Sequence, residues 1–132
     1  MTQVVVPVRY PLSEHSEATL REGVNVARDR DADLTILHVN LYQNGGTVTR
    51  RELKRDVESL LGPLPSARYL VRSGFLVEET ILDEVAAENA DVVVIGRKQA
   101  SRWQRMIRQL MDDPDVERYL RRSLDCEVVT VG

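Results

Sequence analysis

The chain has 132 residues, enough for one domain with a single core and too few for several. A net charge of −3 gives no global pull towards nucleic acid, and 42% apolar against 30% charged residues excludes a disordered chain. Cys126 is the only cysteine, which excludes an internal disulfide, and with only His15 and His38 as histidines a metal centre has little to build on.

Apolar runs reach only about five residues, well short of a membrane span or a signal-peptide core. The expectation is a cytoplasmic protein with no stable membrane insertion.

Along the chain, short β-branched runs alternate with amphipathic helical stretches. Gln3–Val8 reads as a strand. Ser13 is placed to cap a helix whose first turn carries Glu14 and Glu17, and Leu20, Val24 and Ala27 share one face of it. Leu34–Asn40 reads as a second strand, and Asn44-Gly45-Gly46 as a loop. Thr49 and Glu52 have capping-box spacing for a helix to about Leu61, which Gly62-Pro63-Leu64-Pro65 ends.

Ala67–Arg72 is the third strand. A helix over Val77–Asn89 is expected to bury Val77, Ile81, Leu82, Val85 and Ala86, with Glu78, Glu79, Asp83 and Glu84 on a solvated face. Val92–Ile95 is the fourth strand. Trp103, Met106, Ile107, Leu110 and Met111 then recur at helical spacing, with Arg102, Gln104, Arg105, Arg108 and Gln109 mainly opposite. That segment is expected to pack its stripe on the domain with the arginines in solvent; the competing reading is a basic lid or partner-binding helix. Asp113-Pro114 reads as an N-cap with proline at the first helical position, opening a helix that packs Val116, Tyr119, Leu120 and Leu124. Glu127–Val131 is the fifth strand.

Strands buried on both faces and separated by single helices predict right-handed crossovers and a parallel sheet with helices on both sides. Ligands in such sheets sit at the carboxyl ends of the strands, where strand order reverses. That points to Val8–Leu12, Val39–Tyr42 and the stretch from Gly96 onwards.

VVVPV followed by LSEHSEATL, then ADLTILHV, then ILDEVAAENADVVVIG and a terminal CEVVTVG resemble the universal stress protein family in order and spacing, over essentially the whole chain. The resemblance implies one domain over 1–132, an α/β fold with a five-stranded sheet in the order 3-2-1-4-5, and a homodimer, here through the last strand, Glu127–Val131. It also implies a regulatory role with an unidentified protein partner.

Many members bind ATP through a glycine, two residues, a second glycine, nine residues, then glycine and Ser or Thr. Glycines let backbone amides approach the phosphates, and the last pair opens a helix that favours an anion. Counted from Gly96, the second glycine falls on Gln99 and the final pair on Gln109 and Leu110. The family's acidic residue after the first strand falls on Arg9. The degenerate nucleotide site implied by the resemblance therefore comprises Pro7, Arg9, Val39, Ile95, Gly96, Lys98, Gln99 and Gln109.

With these losses, and with an Asp113 carboxylate expected to cap the following helix, classical ATP binding is not expected. The alternative is a nucleotide site built from side chains, since five cations and no acid lie between Arg97 and Arg108. No cofactor, metal or nucleic acid is expected.

Enzyme readings find no support in the motifs: GxxxxGK[ST] is absent, as is GxGxxG after the first strand. The loop after Val8 is RYPLSEHS, unlike a flavin-phosphate loop, and Arg9 and Arg72-Ser73-Gly74 stand where a receiver domain needs acids. His38 is expected to be a packed or hydrogen-bonded structural residue, His15 exposed and Cys126 buried.

Overall fold

The computed structural model describes residues 2–112 and 125–132. The element order is β1 (Gln3–Val8), α1 (Glu14–Asp29), β2 (Asp33–Leu41), a 3-10 turn (Tyr42–Asn44), α2 (Arg50–Leu61), β3 (Ala67–Gly74), α3 (Val77–Ala87), β4 (Val92–Gly96), α4 (Arg97–Leu110) and β5 (Glu127–Val131). The helix read from Asp113 lies outside the described residues.

The five strands form one sheet in the order β3-β2-β1-β4-β5, and every pairing is parallel. β1 is central, with Val4 opposite both Leu34 and Val92. Strand alternation divides its side chains between two cores. Val4, Val6 and Val8 join Leu20 and Ala27 of α1 and Leu53 and Val57 of α2 on one face. Val5 joins Ile81 and Val85 of α3 and Ala100, Trp103 and Ile107 of α4 on the other.

The helix ends follow from local chemistry. Ser13 caps α1 and Ser16 returns the bond to its backbone, a complete capping box. Thr49 also caps α2 by accepting from the Glu52 amide, but the return half of the box is missing. Instead the Thr49 hydroxyl donates to Glu52 Oε1.

Two expectations need correction. Glu84 does not lie on a solvated face: it is 6% exposed and its carboxylate pairs with Arg72 of β3 at 3.0 Å. β3 is an edge strand, so Arg72 can bend over its rim to reach α3. The second correction concerns the segment after β4. A helix begins at Arg97 directly after Gly96, so a helix N-terminus stands at the strand's end. Its stripe packs as expected, with Trp103 and Ile107 buried, Met106, Leu110 and Met111 half-buried, and Arg102 and Arg105 in solvent.

Candidate functional site

A cavity of about 410 Å3 opens at the carboxyl ends of β1 and β4, where strand order reverses. Three elements supply its walls: the end of β1 and the turn after it (Pro7, Val8, Arg9, Pro11), the first turns of α1 (Ser13, His15, Ser16, Thr19), and the β4–α4 junction (Gly96 to Gln99). Val131 and Gly132 close its rim.

Of the residues singled out from sequence, Pro7, Arg9, Gly96, Lys98 and Gln99 line this cavity together. Val39 lines a neighbouring hollow of about 350 Å3, which shares Val8 and Arg9 with the first. Ile95 is fully buried in the core beneath. Gln109 lies near the far end of α4, about 18 Å along the helix from Arg97 at ~1.5 Å per residue.

Sequence reasoning missed the wall that α1 supplies. His15 was expected to be exposed, and it is, but it faces into this cavity's rim. The signal available was topological: the helix after β1 must start where the helix after β4 starts.

The two helix N-termini differ. At α1 the Ser16 amide donates to the Ser13 hydroxyl and the Ser13 amide donates to the Ser16 hydroxyl. α4 has Gly96 as its N-cap and no side-chain cap, so its first amides find no partner inside the helix. No acid occupies its first turn; Arg97 and Lys98 stand there against the helix dipole. Gly96 itself is not demanded by backbone or packing: its φ is −64°, and a Cβ there would meet only Thr19 Oγ1 at 3.7 Å.

Among the described residues, the cavity is lined by the side chains of Arg9, Arg97, Lys98 and His15 and by no acidic side chain. All five cations of α4 are exposed, and none forms an ion pair with a described residue. Two buried polar side chains line the cavity, Gln99 of α4, 9% exposed, and Thr19 of α1, 5% exposed.

The residue after Arg9 is anchored on the other side. Tyr10 stacks edge-on against His38 with ring centroids 4.8 Å apart, and its hydroxyl donates to Asp56 Oδ2 at 2.8 Å. Burial, followed by the bond to Asp56, raises the Tyr10 phenol well above its ordinary value. The same bond lowers the Asp56 carboxyl. His38 is buried, and its Nδ1 donates to Val8 O at 3.1 Å, so that nitrogen carries the proton in a structural role. Nearby, Asn40 clamps Val48 by two bonds of 3.0 Å and fixes the loop after β2.

Cys126 is half-buried, and burial, aided by Asp125 and Asp91, raises its thiol above the ordinary value. Among the described residues there is no cluster of three or more metal-ligating side chains, and no helix long and apolar enough to cross a membrane.

A parallel sheet in this order, with a cationic cavity at its switch point, defines a doubly wound α/β protein with a ligand-sized hollow. The sequence model of the Universal stress protein family matches residues 1–132, and the chain belongs to that family.

Solved structures agree on the fold. A universal stress family protein from Burkholderia pseudomallei is 15% identical, with 98% of this chain and 95% of that one covered and a TM-score of 0.65. The universal stress protein from Archaeoglobus fulgidus in complex with dAMP is 16% identical, covering 100% and 98%, with a TM-score of 0.62. A universal stress protein in complex with cAMP is 17% identical, covering 99% and 97%, with a TM-score of 0.58. No curated protein matches the chain by sequence.

Proposed function

We propose that this protein is a non-enzymatic regulatory member of its family, acting in the cytoplasm as a homodimer and without ATP held in the glycine-loop manner. The observation that carries this reading is the start of α4. Where a glycine loop would bring backbone amides to a triphosphate, a helix leaves Gly96 at once and the Gln99 side chain is buried in the wall. Gln109 is on the wrong end of that helix to complete such a loop. Each amide bond lost is a charge-assisted contact worth on the order of 1.5–3 kcal/mol.

Dimerisation is supported by β5. It is an edge strand whose Val128, Val129 and Val131 are only half-buried, and it has no proline or lysine to discourage pairing.

The cavity favours a second reading, in which a compact anion of the nucleoside monophosphate class is held by the side chains of Arg9, Arg97 and Lys98. Its volume of about 410 Å3 falls in the range of ligand sites, and the charged side chains that line it are all cationic. Two relatives were solved with monophosphates, dAMP and cAMP. Gly96 fits this reading, being a glycine that its own backbone does not need.

Calorimetry separates the two. ATP with magnesium is expected to bind with a dissociation constant above roughly 100 μM, less than about 5.5 kcal/mol. Micromolar ATP binding would overturn the first reading. AMP binding that disappears in Arg9→Ala and Lys98→Ala would establish the second. Mass spectrometry of untagged protein would show whether a nucleotide is carried through purification.

A further inference from the structure

At the opposite edge of the sheet, the turn between β3 and α3 exposes large apolar side chains. Phe75 is 71% exposed and Leu76 55%; Tyr42, from the turn after β2, is 59% exposed. The rings of Tyr42 and Phe75 pack against each other with centroids 4.8 Å apart. Among the described residues these are the only large hydrophobic side chains left in solvent.

The turn that presents them is held firmly. Gln43 Nε2 donates to the Phe75 carbonyl at 2.9 Å, and Thr80 Oγ1 donates to the Leu76 carbonyl at 2.9 Å. Gly74 lets the chain pass so close to Thr80 that a Cβ there would fall within 3.0 Å of its hydroxyl. Apolar groups held this way lose little entropy when something covers them, which is the property of an interface anchor.

Beside Phe75 and Leu76 lies a hollow of about 290 Å3 whose lining includes Glu79 and Asp83. Arg72, the one cation lining it, is already paired with Glu84. Glu79 and Asp83 form no ion pair with a described residue. The patch is therefore an apolar platform next to two uncompensated carboxylates.

We propose that this patch docks a segment of another protein that offers an apolar anchor to Tyr42, Phe75 and Leu76 and a Lys or Arg to the acidic hollow. Charge complementarity selects that occupant. A second copy meeting the patch face to face would set carboxylate against carboxylate. A second copy meeting it head to tail would need an exposed apolar anchor elsewhere, and the described surface offers none.

The test uses the full chain and two synthetic peptides. One carries Leu and Phe at helical spacing among Arg and Lys; its twin has every Arg and Lys replaced by Glu. The basic peptide is expected to bind, with amide shifts in NMR confined to the turns holding Tyr42 and Phe75 and to the part of α3 that carries Glu79 and Asp83. The acidic twin should bind at least about 10-fold more weakly. Phe75→Ser with Leu76→Ser should weaken the basic peptide by about 10-fold or more. Glu79→Gln with Asp83→Asn should weaken it about 3- to 10-fold and flatten its salt dependence. The first pair is largely solvent-exposed, so its thermal melting should match the parent chain. Equal binding of the two peptides, or shifts mapping elsewhere, overturns the proposal. Self-association of the parent chain that Phe75→Ser abolishes also overturns it, in favour of a second copy as occupant.

Discussion

Gly23 sits in the middle of α1, where alanine would normally be the better residue by about 0.8–1.0 kcal/mol. Packing reverses that preference. A Cβ at position 23 would fall within 3.0 Å of Val6 Cγ2, a separation that real Cβ atoms essentially never show. Val6 is fully buried and β-branched, so it has neither the space nor the rotamers to move aside. Overpacking of this kind costs about 1–3 kcal/mol, and a clash this close belongs in the upper half of that range. After the helix-propensity gain, Gly23→Ala should lose about 1–2 kcal/mol, or about 3–8 °C in melting temperature for a chain of this size. Urea unfolding at fixed protein concentration measures it. Val6→Ala alone should cost about 2 kcal/mol from lost burial. In that background Gly23→Ala should turn stabilising, giving a coupling of about 2–3 kcal/mol. If Gly23→Ala stabilises the otherwise unchanged chain, the close approach of α1 to β1 is not what this glycine provides.

Tyr10→Phe removes the bond that lowers the Asp56 carboxyl. A depressed carboxyl stabilises the fold above its unfolded pKa and loses that contribution as pH falls through the folded one. The deficit of Tyr10→Phe should therefore be larger at pH 6 than at pH 2, as urea titrations at both would show. Val129→Lys places a charge on the β5 edge proposed for dimerisation and should shift sedimentation towards monomer without changing the circular dichroism spectrum. Cys126, with its thiol raised chiefly by burial, should be alkylated at pH 7.5 more slowly than a free cysteine; an equal rate would mean that the end of the sheet opens readily.

The strands were legible because valine, isoleucine and leucine fill both faces of a parallel sheet and leave an almost continuous apolar run, as in Val92–Ile95. Capping was legible too, at Ser13 and in part at Thr49. The missed features depend on contacts between segments distant in sequence. Glu84 resembles its exposed neighbours on α3 until Arg72, twelve residues earlier on an edge strand, reaches over to it. Gly23 has no local signature, because its reason is a valine on another element. The start of α4 was hidden by the glycine-loop template, which reads Gly96 as the opening of a loop. Helix propensity across Arg97–Leu110, with no proline or further glycine, was the signal that pointed the other way. The candidate site was legible for the five residues at the ends of β1 and β4, and illegible where it borrows from α1.

The cations of α4 also bear on kinetics. A molecule with net charge −3 repels anions at long range, yet one end of it presents Arg9, Arg97 and Lys98 at a cavity mouth, with Arg102, Arg105 and Arg108 extending the same sign along the helix. Such a field funnels an approaching anion to one door and turns it from the rest of the surface. At physiological ionic strength the field reaches only about 8 Å, so the funnel works in the last steps of approach. Added salt should therefore slow the arrival of any anionic ligand at this cavity far more than it hastens its departure.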